Sequence, residues 1–241
     1  MSDTLEIVIL IGRPAAGKSE VIDFLKHTPI DERRRRFHIG EFDEIDDFPI
    51  LWERFEDDDI LERHGKARLH TTADYYFQEH FFWNYLIEKI NLAYAKKVAA
   101  DPQYGAKRTA IIEFSRGGDN GFGEAFSFLS DGILQRAGIA YIQVSYEESV
   151  RKNHRRFRPD QADSILYHSL PDEKMDFYYK TNDWDALSKG ESQGVIPVKG
   201  QDVPFAVFPN EPEKTHDPAL LGAALEDMFG RLWGQVQKRG G

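Results

Sequence analysis

Short, almost wholly apolar runs alternate along the chain with longer stretches in which apolar residues recur every three or four positions. Leu5 to Ile11 is the first such run, apolar and β-branched apart from Glu6, as a strand covered on both faces requires. Ser19 to Lys26 then sets Val21, Ile22 and Leu25 at helical spacing. Phe37 to Gly40 reads as a short second strand, with Glu41, Asp43 and Glu44 directly behind it. Helices follow over 51–64 and 74–99, the second with Trp83, Ile87, Ile90, Tyr94 and Val98 on one stripe and a stop at Asp101-Pro102. Thr109 to Phe114 is the third strand, 124–137 a helix, Ile139 to Val144 the fourth strand and 147–157 a helix. Val195 to Val198 and Phe205 to Phe208 are short strands. Asp217-Pro218 opens a last helix that buries Leu221, Leu225, Met228, Leu232 and Val236.

This alternation predicts an α/β fold, a parallel β-sheet of about five strands flanked by helices on both faces. Ligands of such sheets lie at the carboxyl ends of the strands. No Pro/Ser-rich linker, low-complexity stretch or repeat divides the 241 residues, so a single domain over 1–241 is expected. A helical insertion at about 41–100 is suited to holding an acceptor, and a segment at about 147–190 reads as a lid.

Between the first strand and the first helix stands Gly12-Arg13-Pro14-Ala15-Ala16-Gly17-Lys18-Ser19, a complete G-x-x-x-x-G-K-[ST] phosphate-binding loop. Its glycines let the backbone N–H groups turn toward a polyphosphate. Lys18 reaches the terminal phosphates and Ser19 offers its hydroxyl to Mg²⁺. The ligands expected from the loop are therefore a nucleoside triphosphate and Mg²⁺.

Composition narrows the class. A net charge of −10, from 31 basic and 41 acidic residues, argues against a general nucleic-acid coat. The chain has no cysteine, which excludes disulfides and thiolate chemistry and fits a reducing compartment. Its first strand starts by Leu5 and no apolar run approaches a membrane span, so a cytoplasmic protein without a membrane partner is expected.

Acids and arginines supply the remaining chemistry. Glu113, at the end of an apolar strand, is placed to order Mg²⁺ directly or through water. A phosphoryl acceptor needs a carboxylate to take its proton, and Asp43 and Glu41, alternate residues on an extended segment, are the candidates. The run Arg151 to Arg158 sets Arg151 and Arg155 on one helix face and Lys152 and Arg156 on another, a clamp for a transferring phosphoryl group. Arg116 stands close enough behind Glu113 to reach acceptor or phosphates.

The Gly12–Ser19 loop, the Asp43 region, Glu113 with Arg116 and the Arg151–Arg156 segment together resemble the P-loop kinases of small molecules. Nucleoside and nucleotide kinases and zeta-toxin-type sugar-nucleotide kinases are the comparisons. The resemblance implies that the acid after strand two is the base, that the strand-three acid helps hold Mg²⁺, that lid arginines close over ATP and that Pro209-Asn210 lines the adenine. Glu113-Phe114-Ser115-Arg116 departs from the nucleoside-kinase pattern, in which acid and arginine are adjacent. The function implied is ATP-dependent transfer of the γ-phosphate to a small-molecule hydroxyl or phosphate, such as a nucleoside, nucleotide or sugar nucleotide. An NTP-hydrolysing switch acting on a partner stands as the alternative. A polynucleotide 5′-kinase using Arg33 to Arg36 is a third reading. The acceptor and the oligomeric state stay open.

Overall fold

The computed structural model describes residues 3–156 and 170–239. In chain order the elements are β1 (Ile7–Gly12), α1 (Lys18–His27), α2 (Ile30–Phe37), β2 (Glu41–Asp46), α3 (Asp47–Arg63), α4 (Phe81–Ala100), α5 (Tyr104–Lys107) and β3 (Arg108–Phe114). Then follow α6 (Gly121–Phe128), α7 (Asp131–Leu134), β4 (Ala137–Gln143), α8 (Tyr146–Arg156), α9 (Asp172–Tyr179), α10 (Trp184–Ser188), β5 (Gln193–Val198), β6 (Gln201–Pro209) and α11 (Pro218–Arg239). The side chain of Arg156 and the segment Pro159 to Ser164, which the sequence assigns to the lid, lie outside the described residues.

Six strands form one mixed sheet in the order β2-β3-β1-β4-β6-β5. Every pair is parallel except β5 with β6. The sheet has six strands where about five parallel ones were expected, because Val195–Val198 and Phe205–Phe208, each read as a strand, pair antiparallel as the two arms of a hairpin turned at Lys199 and Gly200, both of positive φ. Side chains of β1 divide by parity, as a pleated strand dictates. Ile7, Ile9 and Ile11 pack with α4, α6 and Trp184, whereas Val8 and Leu10 pack with α1 and α11. Helices thus cover both faces.

Three expected elements shift. Phe37 is the last residue of α2, fully buried among Leu25, Phe229 and their neighbours, and the second strand is the acidic run Glu41–Asp46 itself. That strand is an edge, paired only with β3, so it needs little apolar surface and its sequence hides it. Residues 74–80 are not helical. They form a loop held by a Thr71–Phe77 bridge, and α4 starts at Phe81, with Val98 outside its buried stripe. The expected helix over 124–137 is two short ones, α6 and α7.

The run Arg33 to Arg36 falls on α2, and half of it is used internally. Arg33 is buried and donates to the carbonyls of Gly40 and Leu25, while Arg36 binds Glu32 and Glu226. No helix among the described residues is long and apolar enough to cross a membrane.

Candidate active site

The chain leaves β1 at the centre of the sheet, passes outward to β2, returns to β3, and then builds β4 and β6 on the other side. Loops leaving the carboxyl ends of β1, β3 and β4 therefore diverge at β1 and open a crevice there. The phosphate-binding loop sits at that point. Ala15 (φ 56°) and Gly17 (φ 118°) take left-handed conformations, the alternation that turns successive N–H groups into one concavity. A left-handed alanine is uncommon, and its strain is tolerated where the surroundings hold the loop.

Three braces hold it. The Ser149 hydroxyl of α8 donates to the Pro14 carbonyl at 2.6 Å, and the buried Asn210 amide donates to the Ala16 carbonyl at 2.8 Å. Arg13 reaches the carbonyls of Tyr179 and Lys180. Desolvation there lowers the Arg13 pKa. Arg13 and Asn210 were expected to contact nucleotide. Here the first ties the loop to the end of α9, and the second spends both amide atoms on protein, its oxygen accepting from Lys214 N.

Lys18 is buried at the start of α1, with Nζ donating to Ser115 Oγ at 2.7 Å and lying 3.8 Å from Glu113 Oε1. Ser19 follows with an exposed side chain. Loop, lysine, Ser19 and Glu113 are thus gathered at one edge, as the sequence reading places them.

Asp43 and Glu41 are not at that edge, because strand two runs through them. Parallel pairing sets Glu41 opposite Arg108 and Asp43 opposite Ala110, while Asp46 stands opposite Glu113. Asp43 is bound to Lys97 at 3.1 Å and Arg108 at 3.2 Å on the far side of the strand's end. Burial raises its carboxyl pKa, but Lys97 and Arg108 outweigh that and hold it below the ordinary value. The acids at the carboxyl end are Asp46 and Asp47, which sequence reading missed. A signal was available: Asp46-Asp47-Phe48-Pro49 is a helix start, with Asp46 capping α3 by accepting from Phe48 N at 3.0 Å and Pro49 in the first turn. A helix starting there ends the strand at Asp46.

The electrostatics of this edge are those of crowded carboxylates. Burial, then the charges of Glu113 and Asp47, push Asp46 up to about 8. Burial also raises Asp47, against the pull of Arg116. Arg116 is itself buried, donating to Asp47 Oδ2 at 2.6 Å and to the carbonyls of Ser115 and Trp83. It was expected to reach acceptor or phosphates, and instead it fixes Asp47.

Arg151 and Arg155 were expected over the transferring phosphoryl group. Here they converge on Glu213, Arg155 at 2.7 Å and Arg151 at 3.3 Å, with the buried Lys152 at 3.2 Å. The reason is the register of α8, which turns Ser149 toward the loop and these cations toward the segment after β6. Burial raises the Glu213 carboxyl, but Arg155 and Lys152 outweigh it and leave it at about 2.

No three-carboxylate or histidine cluster able to hold a metal by itself occurs among the described residues. What is present is Glu113 near the end of β3 with Ser19 in the loop, donors that suit a Mg²⁺ held mainly by substrate phosphates and water.

No family model matches the chain, and no curated protein matches it. Among solved structures, a protein described as APE1195 aligns over 95% of this chain and 98% of its own at 12% identity, with a TM-score of 0.41. An unliganded sugar kinase from Janibacter sp. HTCC2649 aligns over 95% and 96% at 11% identity, with a TM-score of 0.41. Likenesses this weak carry no argument about function.

Proposed function

We propose that this protein is an ATP- and Mg²⁺-dependent phosphotransferase that moves the γ-phosphate to a hydroxyl of a small-molecule acceptor. One observation carries the reading beyond nucleotide binding: Asp46 and Glu113 face each other across adjacent strand ends, in the same crevice as Lys18 and the loop. A loop and lysine alone suit any nucleotide-hydrolysing protein. A second carboxylate on the neighbouring strand supplies a proton acceptor for a hydroxyl, which a pure phosphate site does not need.

In this reading the N–H groups of Gly12 to Ser19 cradle the phosphates and Lys18 exchanges Ser115 for the terminal phosphate oxygens. Ser19 and Glu113 would hold the Mg²⁺, which neutralises charge on the transferring group when bound. Asp46, which burial and the neighbouring acids push up to about 8, accepts the proton of the attacking hydroxyl when it is in its ionised form. Asp47, locked by Arg116, fixes the first turn of α3 and so the position of Asp46. The acceptor lies between α3, the start of α4 and α9, the elements that rise beside Asp46 and Arg116.

The test is incubation with Mg-ATP and candidate acceptors, with phosphorylated product read by mass. Transfer that is lost in Lys18→Ala and falls about 10²–10⁴-fold in Asp46→Asn supports the reading. Nucleotide hydrolysis stimulated only by a protein partner, with no acceptor modified, would favour a switch.

A further inference from the structure

Two side chains hold the phosphate-binding loop by the carbonyls that precede its left-handed residues. Ser149 Oγ of α8 donates to the carbonyl of Pro14, before Ala15, and Asn210 Nδ2 donates to the carbonyl of Ala16, before Gly17. In a trans peptide the C=O and the following N–H point to opposite sides of the chain, so a hydrogen bond to the carbonyl also aims the N–H. Ser149 and Asn210 therefore direct the N–H groups of Ala15 and Gly17 into the concavity of the loop. A tilt of either peptide would misplace a phosphate donor.

The two anchors stand on different elements, and their spacing needs a link of its own. Ser149 lies on α8, after β4, whereas Asn210 opens the 210–215 segment, after β6. That segment rests directly on the loop, for a Cβ on Gly17 would stand 2.9 Å from Thr215 Cγ2. One turn along α8 from Ser149, Lys152 Nζ lies 3.2 Å from Glu213 Oε1. The two side chains are only 3% and 10% exposed, so water replaces neither charge if the other is removed. The more exposed Arg155 and Arg151 reach the same carboxylate at 2.7 and 3.3 Å, and Thr215 Oγ1 donates to it at 3.2 Å. Glu211 adds a tie nearer solvent, accepting from Ser145 N and Oγ.

We propose that Lys152 and Glu213 are positioning residues for the nucleotide: their ion pair sets the spacing of Ser149 and Asn210, and through them the direction of the Ala15 and Gly17 N–H groups. The proposal rests on the nucleotide-binding half of the phosphotransferase reading. In it the cations of α8 act on the loop through Glu213 and need no contact with ATP. Removing either charge leaves the other buried and unmatched, so α8 and the 210–215 segment separate and the loop's donors lose their aim.

The experiment titrates the full chain by calorimetry with Mg-ATP and, separately, with Mg-tripolyphosphate, which offers the phosphates alone. Lys152→Met and Glu213→Gln should each raise Kd for both ligands about tenfold, the worth of one hydrogen bond to a charged group. The double variant should lose no more than either single one, since each removes the same link. Ser149→Ala, which removes one hydroxyl and no charge, should raise Kd by a similar factor, and it tests the linkage should a charge variant not fold. Titrations are run below each variant's unfolding transition, where a pair serving stability alone would lower the melting temperature and leave Kd unchanged. Unchanged Kd in the charge variants or in Ser149→Ala overturns the proposal. So does a Glu213→Gln protein that binds ATP more tightly, which would make Glu213 a competitor of the phosphates for the α8 cations. Additive losses in the double variant overturn it as well, because the two residues would then act apart. A parent protein that binds neither ligand, or a Lys18→Ala protein that binds both undiminished, removes the nucleotide reading itself and the proposal with it.

Discussion

In the proposed reaction Asp46 carries two duties, and a single substitution separates them. Its Oδ1 caps α3, and asparagine caps a helix about as well as aspartate, so Asp46→Asn keeps the fold while removing the proton acceptor. Transfer should fall about 10²–10⁴-fold with melting temperature and ATP affinity little changed. Asp43→Asn should leave transfer near the parent rate, because Asp43 answers to Lys97 and Arg108 rather than to the crevice. Glu213 makes a pH prediction. Its folded pKa of about 2 lies below the ordinary 4.5, so its contribution to stability is present above about pH 4.5 and is lost as pH falls toward 2. Glu213→Gln should therefore lower the melting temperature at pH 7, with the gap narrowing below about pH 4.5 and closing only as pH reaches about 2. A constant gap between the two curves would show that the carboxylate's charge is not what binds α8 to the 210–215 segment. At this scale the phosphate loop was readable residue by residue, because its chemistry is carried by identity and spacing. Pairing partners were not: that Arg116 answers to Asp47, and Arg151 and Arg155 to Glu213, depends on how distant helices are aimed.

The acidic second strand shows what a single sequence hides at the level of elements. Strands β1, β3 and β4 lie inside the sheet and announce themselves by unbroken apolar runs. An edge strand is held mainly by its backbone ladder to one neighbour, and Glu-Phe-Asp-Glu-Ile-Asp supplies one apolar side chain to each face and no more. Reading it as a loop put the candidate acid at Asp43, three residues short of the strand's carboxyl end at Asp46. The loop after α3 is likewise held by one buried group. Asp58 is fully buried and accepts from the N–H groups of Leu69, His70 and Thr71 and from the Thr71 hydroxyl. Asp58→Ala leaves those donors unmet and should destabilise the protein by about 3 kcal/mol, read as a drop in the denaturation midpoint. The phosphate loop has its own point of failure. A Cβ on Gly17 would stand 2.9 Å from Asn210 Nδ2 and from Thr215 Cγ2, at a φ that alanine resists, so Gly17→Ala should weaken ATP binding in calorimetric titration.

Over the whole molecule, charge and topology point to the same edge. The switch at β1 brings the loop, Glu113 and Asp46 together from segments up to about a hundred residues apart, and an acidic, aromatic wall rises beside them from the residues between β2 and β3. The α/β class and the flanking helices were readable from alternation alone. Both arms of the β5–β6 hairpin were readable as strands, but their antiparallel pairing was not, since a hairpin edge and two parallel strands have the same apolar pattern. The central claim, that Asp46 and Lys18 work on one transferring phosphate, is tested most directly by the rate of γ-phosphoryl transfer to acceptor in four proteins. Parent and Asp43→Asn should transfer at similar rates, Lys18→Ala should not transfer, and Asp46→Asn should bind ATP yet transfer about 10²–10⁴-fold more slowly. An Asp46→Asn protein that transfers at the parent rate contradicts the account.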